Sequence, residues 1–194
     1  MPRASRADAE RHREQVIEAA AKLVRAYGAG NVSVPQAMAA AGLTHGGFYR
    51  HFASKDDLIA RACSAAFAER VKALDDLTEG GDPETPARAA FLDGYLSVLH
   101  RDNAALGCPG AALAVDAGRA EPGDPLRQAF TDGLRDLVEA MRQLDGADEE
   151  TVLAELSAMV GALMLSRACA GEALSERILD AVRSRLLDGG HRTG

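Results

Sequence analysis

The segment from residue 42 to residue 58 holds the densest group of side chains that could bind another molecule. It reads Gly-Leu-Thr-His-Gly-Gly-Phe-Tyr-Arg-His-Phe-Ala-Ser-Lys-Asp-Asp-Leu. Its hydrogen-bond donors are Thr44, His45, Tyr49, Arg50, His51 and Lys55. An arginine can form two hydrogen bonds with a guanine edge, and long donors at the border of a helix suit phosphate oxygens. The segment therefore carries the side chains of a nucleic-acid contact.

The same segment has an apolar edge, formed by Leu43, Phe48 and Phe52. An apolar edge opposite a polar edge predicts a short helix. Because a helix this short is not stable alone in water, flanking helices must hold it. The polar edge would then be presented on a rigid platform, as in the second helix of a helix-turn-helix unit.

The residues before this segment predict two supporting helices. Apolar spacing over residues 8–27 predicts an amphipathic helix that ends at Gly28. Ser33 is a good N-cap, so a second helix is predicted from residue 34 to residue 41. A glycine ends this helix, and the short segment follows at once, as a tight helix-turn-helix requires.

A longer helix is predicted directly after the polar segment, over residues 55–77. Ser54 is its expected cap, and Asp56 and Asp57 lie where the helix dipole favours negative charge. This helix would connect the polar segment to the rest of the chain.

Residues 10–60 resemble the N-terminal domain of the TetR family of bacterial transcriptional repressors. The matching stretches are Ile17-Glu18-Ala19-Ala20 with Tyr27-Gly28, then Ser33 to Gly42, then Phe48-Tyr49-Arg50-His51-Phe52-x-x-Lys55-x-x-Leu58. The remainder of the chain is similar to the family only in length and helical layout.

The resemblance implies an all-α protein in two parts. Residues 1–54 would form a three-helix helix-turn-helix DNA-binding domain. Residues 55–194 would form a helical effector-binding and dimerisation domain, with 55–77 as the connecting helix. The implied function is that of a repressor, not an enzyme, which binds a palindromic operator in double-stranded DNA as a homodimer. A small apolar effector or modification of a thiol would release it.

The resemblance also assigns roles within the polar segment. Tyr49, His51 and Lys55 match positions that hold the DNA backbone, and Ser33 is a further candidate for a phosphate contact. The groove-facing positions are Thr44, His45, Gly46, Gly47 and Arg50. Two alternatives stay open: Tyr49 could instead pack against the first helix, and the two glycines could reflect either close approach to the groove or a locally irregular helix.

Charge is distributed unevenly along this chain of net charge −7. Residues 1–61 carry nine Lys and Arg against six Asp and Glu, whereas the remainder carries 13 against 23. A basic head on an acidic body keeps the attraction to phosphate local. Ordinary solvated charge would explain the acidic part alone, so the asymmetry favours DNA binding only mildly.

The amino-acid composition agrees with the prediction of a helical protein. Hydrophobic residues make up 47% of the chain and aromatic residues 4%, with no Trp, which favours a helical protein with a real core. No long apolar run and no signal-like start occur, so we expect a cytoplasmic protein without a membrane partner. The three cysteines, Cys63, Cys108 and Cys169, are odd in number and widely spaced, which predicts reduced thiols and neither a disulfide framework nor a zinc site. We expect no metal and no cofactor.

The second part is predicted to form five helical segments, at residues 85–104, 110–117, 125–144, 148–170 and 173–188. The segment at 148–170 is apolar almost all round, which predicts burial between subunits. We expect it to pair with the last segment and with their twofold copies in a four-helix dimer interface. The interface candidates are Ala158, Gly161, Ala162, Met164, Ile178 and Val182.

Cys108 lies between Gly107 and Pro109 at the predicted start of a helix, where the dipole stabilises a thiolate. Some proteins of the resembled family sense oxidants or electrophiles through cysteine, although a small buried cysteine is the commoner case. The effector candidates are Cys108, Phe91, Tyr95, Phe130 and Met141, which could equally be plain core.

Two rival functions remain at this point. A helical enzyme with Cys108 as nucleophile and His100 as base has weak support, because no carboxylate is placed to orient the imidazole. A helix-turn-helix protein without any effector is the second rival.

Overall fold

The computed structural model describes residues 6–80 and 85–189, and these residues form helices and turns with no strand among them. The helices are α1 (Arg6–Tyr27), α2 (Val34–Ala40), α3 (Lys55–Gly80), α4 (Ala87–Tyr95), α5 (Val98–Asp102), α6 (Pro109–Arg119), α7 (Pro125–Asp145), α8 (Glu149–Ala168) and α9 (Ala173–Gly189). Two 3₁₀ segments occur, His45–Arg50 and Ala104–Leu106. The predicted all-α fold is confirmed.

Helices α1 and α2 form the base of the N-terminal head. Val16, Ala20 and Val24 lie one turn apart on α1 and are completely buried, as the apolar spacing predicts. Gly28 ends α1 with φ +82°, a left-handed conformation that favours glycine. The predicted ends of both helices are therefore correct to within about two residues.

The segment His45–Arg50, here called the reading segment, is a 3₁₀ helix and not the short α-helix expected. Phe48 anchors it, because its side chain is fully buried and stacks on Phe52 with 5.3 Å between ring centroids. Two successive glycines disfavour a regular α-helix, and short 3₁₀ turns are common at such connections. The predicted short helix is thus present in a tighter winding.

Helix α3 begins as predicted and runs three residues beyond the expected residue 77, to Gly80. The Ser54 hydroxyl accepts a hydrogen bond from the Asp57 N–H at 3.0 Å, and the Asp57 carboxylate accepts one from the Ala53 N–H at 3.1 Å. This reciprocal cap fixes the angle at which α3 leaves the head. Helix α3 then packs against α1 and along α7.

The prediction of one continuous helix over residues 85–104 is wrong, because the helix is interrupted between α4 and α5. The Ser97 hydroxyl donates to the Gly94 carbonyl at 2.8 Å and accepts from the His100 N–H at 3.1 Å. A serine that satisfies backbone groups on both sides competes with continuous helix and starts a new one. The other four predicted segments correspond to α6, α7, α8 and α9.

Among the described residues one helix, α8, is long and apolar enough to cross a membrane, judged by length and composition alone. A core or interface helix of a soluble protein meets the same criterion. One side of α8 packs inside the protein through Val152, Leu156, Met159 and Leu163. Its other side is exposed at Leu153, Ala158 and Leu165, so an apolar face lies open on the single chain.

Candidate nucleic-acid interface and the buried cluster around Cys108

The polar side chains of the reading segment are available to an outside partner. Thr44, His45 and Arg50 are exposed, and the Tyr49 side chain is 79% exposed. His51 and Lys55 are half-buried at the end of the segment and the start of α3. In residues 6–80 and 85–189, no hydrogen bond or ion pair engages the side chain of any of these six residues. Donors left in this state can bind phosphate and base edges without breaking an internal contact.

Tyr49 meets its neighbour Phe48 edge-on, with 5.1 Å between ring centroids and an interplanar angle of 80°. An exposed ring with this single aromatic contact does not support the alternative that Tyr49 packs against α1. Its hydroxyl instead lies at the surface beside Arg50.

The glycines of the reading segment have open space around them. A Cβ at Gly46 would meet no atom within 4 Å, and a Cβ at Gly47 would meet only the Met38 methyl at 3.9 Å. Packing within the protein therefore does not require glycine at either position. The helix is irregular, as one alternative held, and the open space is also compatible with close approach of DNA.

Ser33 is committed to capping α2. Its hydroxyl oxygen accepts from the Gln36 N–H at 3.4 Å and lies 2.8 Å from Gln36 Oε1, to which it can donate. The Gln36 side chain in turn accepts from the Ser33 N–H at 2.9 Å. A phosphate contact by the Ser33 hydroxyl would have to replace one of these bonds.

Two polar contacts tie the head to the body. Arg25, only 4% exposed, pairs with Glu69 of α3 at 2.6 Å. Asp116 of α6 accepts a hydrogen bond from the Ala29 N–H at 3.2 Å, just after the turn at Gly28. The orientation of the head is therefore fixed by α3 and by the C-terminal half of α6.

Cys108 occupies the N-cap position of α6, at the predicted start of a helix, and its side chain is fully buried. Its N–H donates to His100 Nε2 at 3.0 Å, and His100 Nδ1 donates to the Tyr95 carbonyl at 2.7 Å. Burial lowers the pKa of His100 to about 4, so the ring is neutral at pH 7 with its proton on Nδ1. Both ring nitrogens are engaged with backbone groups, and neither is free to take the proton of the Cys108 thiol. This geometry gives no support to a Cys108–His100 catalytic pair.

Two arginines complete the cluster. Arg70 Nη2 lies 3.3 Å from His100 Nε2, and its guanidinium lies 6.0 Å from the centre of the Tyr95 ring. Arg167 donates to the carbonyls of Arg101 at 3.0 Å and His100 at 3.1 Å. Within the part of the chain that is described, no carboxylate pairs with Arg70 or Arg167. The thiol thus lies in a region with an excess of positive charge.

The Tyr95 hydroxyl is buried and has no hydrogen-bond partner of ordinary geometry among the described residues. Burial raises the pKa of Tyr95 well above its ordinary value, and the neighbouring Cys108 thiol raises it further. An unpartnered hydroxyl beside a buried thiol is an unusual arrangement, because most buried polar groups are paired.

The effector candidates do not converge on one cavity. Phe91 and Tyr95 are buried in edge-on contact at 5.7 Å, and Met141 is buried. Phe130 has a different aromatic neighbour: it meets Phe67 of α3 edge-on, with 5.5 Å between ring centroids. None of them lines the groove between α3 and α7, which has a volume of about 590 Å³. The groove was not predicted from the sequence. The available signal was Gly133, a glycine in the middle of α7 that indicates close approach of another helix.

The interface candidates differ in how far the single chain buries them. Ala162 is buried within the chain, whereas Ala158 is exposed. Gly161, Met164, Ile178 and Val182 are half-buried. The exposed leucines of the same region are not among the interface candidates predicted from the sequence; they are Leu153, Leu165 and Leu174. Their signal was the apolar composition of α8 on every side.

Comparisons with known proteins agree with this architecture. Residues 16–62 match the family of bacterial regulatory proteins named the tetR family. A TetR transcriptional regulator from Chloroflexus aurantiacus is 24% identical, with a TM-score of 0.75 over 96% of this chain and 97% of that one. The reduced form of E. coli NemR is 16% identical, with a TM-score of 0.74 over 91% of this chain and 96% of that one.

A TetR-family regulator from Agrobacterium tumefaciens is 18% identical, with a TM-score of 0.73 over 93% of this chain and 98% of that one. No curated protein sequence matches the chain significantly. At these identities the solved structures establish a common fold, while the match at residues 16–62 covers the head and the first turns of α3. Residues 16–62 thus match the tetR family of bacterial regulatory proteins, and the described chain shares its fold with solved TetR-family regulators.

Proposed function

We propose that the chain is a repressor that binds a palindromic operator as a homodimer, with residues 1–54 as the DNA-binding domain and residues 55–194 as the effector-binding and dimerisation domain. The observation that carries the proposal is the set of exposed, unpartnered donors on the reading segment. Arg50 and His45 would read base edges, and Tyr49, His51 and Lys55 would hold phosphates. The protein would act in the cytoplasm, where its operator is.

A mobility shift with DNA from upstream of its own gene tests this assignment. We expect Arg50→Ala to weaken specific binding by about 1–3 kcal/mol and to relax the sequence preference, because it removes a base contact. Lys55→Ala should weaken all sequences alike and reduce the slope of affinity against salt by about one. Arg135→Ala, which removes an exposed arginine on α7, is the matched control. A wild-type protein that binds no fragment of its own locus at low salt would contradict the proposal.

The exposed apolar face of α8 supports the homodimer. Leu153, Ala158 and Leu165 lie on this face, and small residues such as Gly161 permit close approach of two helices. The twofold copy of α8, with α9 beside it, would cover the face in a four-helix interface.

Sedimentation at micromolar concentration tests the interface. Gly161→Glu should give monomers that bind the operator weakly, because it buries an unpaired charge at the seam. Gly118→Glu places the same charge on an exposed glycine of α6, with no atom within 4 Å of its Cβ position, and should remain dimeric. A monomeric wild-type protein would refute the interface.

Release from the operator requires that a ligand bind two arrangements of the heads with unequal affinity. Helix α3 begins beside the reading segment and ends in the body, so we propose it as the lever. The effector that the family resemblance implies is small and apolar and would bind in the body, where Phe91, Tyr95, Phe130 and Met141 do not enclose one cavity for it. Its binding would tilt α3 and change the spacing of the two heads.

Modification of Cys108 is the second route of release. The excess of positive charge from Arg70 and Arg167 and the unpartnered Tyr95 hydroxyl favour an oxidised, negatively charged cysteine at this place. Its complete burial opposes reaction with a bulky electrophile. The supported reagent is therefore a small oxidant.

Operator affinity before and after treatment with hydrogen peroxide tests this route. We expect loss of affinity in the wild type and no loss in Cys108→Ser, which should bind the operator normally. Cys63→Ser is the matched control, because burial raises the pKa of the Cys63 thiol to about 12 and makes it unreactive. An unchanged affinity in the oxidised wild type would remove the thiol switch and leave the non-covalent effector.

A further inference from the structure

The groove between α3 and α7 has an apolar floor. Phe67 and Val71 contribute from α3, and Ala129 and Ala140 from α7. Gly133 allows the two helices to approach, since a Cβ there would lie 2.5 Å from the Phe67 ring. The cavity of about 590 Å³ is of the size that holds an organic molecule in many proteins.

The rim of the groove is acidic. Four exposed carboxylates line it, Asp75 from α3 and Asp132, Asp136 and Glu139 from α7. Asp132 pairs with Arg135 at 2.9 Å and Glu139 with Arg142 at 2.8 Å. Within residues 6–80 and 85–189, neither Asp75 nor Asp136 has a hydrogen-bond or ion-pair partner.

Among the described residues that line the groove, the cation is Lys72, which interacts electrostatically with Asp75 but forms its hydrogen bonds with Asp76. Lys72 is held by Asp76, which lies outside the groove, with 2.7 Å between Nζ and Oδ1. The hydrogen bond with Asp76 raises the pKa of Lys72, so that the pair stays ionised. Each wall of the groove therefore presents one carboxylate without a hydrogen-bond or ion-pair partner among the described residues, Asp75 and Asp136, and Lys72 offsets part of the Asp75 charge.

We propose that this groove binds an amphiphilic organic cation, with its apolar part against Phe67 and Val71 and its positive charge near Asp75 and Asp136. The apolar floor suits a hydrocarbon or aromatic body that leaves water. The acidic rim attracts cations and repels anions of the same shape. No group of described His, Cys, Asp and Glu residues has the arrangement of a metal site, so a bare metal ion is not the matching ligand.

The identification of the groove ligand as the effector rests on the proposed function. One wall of the groove is α3, between Ser64 and Asp75, the same helix that leaves the head at Lys55. A ligand wedged between α3 and α7 would move the proposed lever directly. Binding itself does not depend on DNA.

Isothermal titration of the DNA-free protein tests the binding. The probe is decyltrimethylammonium below its micelle concentration, and the matched probe is decyl sulfate, which has the same alkyl chain and the opposite charge. We expect saturable binding of the ammonium and binding of the sulfate at least about tenfold weaker, because the rim repels it. Equal affinity for the two probes would overturn the proposal.

Variants assign the binding to the groove. Asp75→Asn and Asp136→Asn should each weaken the ammonium by about two- to fivefold, the range of partly exposed charge pairs. Ala68→Trp should fill the groove and abolish binding, because Ala68 is an exposed lining residue. Glu121→Gln removes an exposed charge outside the groove and should bind like the wild type. Thermal melts check that each variant is folded, and unchanged binding in the folded variants would overturn the site.

Operator affinity tests separately whether the groove ligand acts as the effector. The ammonium should lower the operator affinity of the wild type and leave that of the Asp75→Asn, Asp136→Asn double variant unchanged. A double variant with Glu121→Gln and Glu150→Gln controls for the altered net charge. Operator affinity that does not change while the groove is saturated would overturn the effector role. Failure of the DNA-free titration leaves the repressor proposal standing, and failure to bind DNA leaves the titration valid.

Discussion

The reading segment and the cluster around Cys108 are both rich in polar groups, and they hold them in opposite ways. Polar side chains of the reading segment lie in solvent without a hydrogen-bond or ion-pair partner among the described residues, as in Arg50 and the 79% exposed Tyr49. Around Cys108 the imidazole of His100 is buried and hydrogen-bonded to a backbone group at each ring nitrogen, while the buried Tyr95 hydroxyl has no hydrogen-bond partner of ordinary geometry among the described residues. The difference indicates that exposed polar groups at the first region are available to another molecule, whereas most of the buried polar groups at the second are used within the body and contribute to its stability.

The largest expected effect concerns acid conditions, where the buried His100 should cost stability. Its pKa is about 4 in the folded protein against 6.5 ordinarily, so at pH 5 the unfolded chain binds the proton and the folded chain does not. Stability from this group is complete above pH 6.5 and is lost as pH falls toward 4, by roughly 2 kcal/mol at pH 5. Urea denaturation at pH 7 and pH 5, at one protein concentration, measures it. His100→Gln should show a smaller drop, and an equal drop would contradict the assignment.

A matched pair of glycine substitutions sharpens the comparison. In the cluster, a Cβ at Gly107 would lie 2.7 Å from Arg167 Nη2, 3.1 Å from His100 Nε2 and 3.2 Å from the Ala104 carbonyl oxygen. Gly107→Ala should therefore destabilise the protein by about 1–3 kcal/mol, the usual range for overpacking. Thermal or urea denaturation checks this. A variant as stable as the wild type would mean that the cluster is less tightly closed than its distances indicate.

The smallest expected effect on stability is at the reading segment. Gly46→Ala meets no atom within 4 Å and should change the unfolding free energy by less than about 0.5 kcal/mol. Operator affinity should fall nevertheless, because the added methyl group would separate the backbone from the groove. Denaturation and a mobility shift on the same preparation give both values. Unchanged operator affinity would favour the other alternative, in which the glycines only reflect an irregular helix.

Local signals predicted the head well. Gly28 and Ser33 are strong end and start signals, and the buried faces of α1 and α3 follow from apolar spacing alone. The tighter winding of the reading segment was missed because the α and 3₁₀ windings have the same short pattern of apolar residues. The break at Ser97 depends on two side-chain hydrogen bonds that no periodicity reveals.

The body was harder to predict, because its features depend on which helices meet. The groove exists because α3 and α7 approach at Gly133, and spacing along either helix does not indicate the partner. Burial of Cys108 follows from its neighbours in space, which include Tyr95 of α4, His100 of α5 and Arg167 of α8. Its position at the start of α6 was predictable and correct, whereas its lack of solvent contact was not.

Helix α3 is common to the reading segment and the groove, and this has a consequence for the DNA itself. Coupling between two sites is reciprocal, so a ligand that lowers operator affinity by about tenfold must bind about tenfold more weakly to the operator-bound protein. The operator then acts as an antagonist of the effector. Protein on a strong operator would respond only at a higher ligand concentration than protein on a weak one. Two promoters with different operators would thus open in sequence as the ligand accumulates, through the same α3 in every copy of the chain.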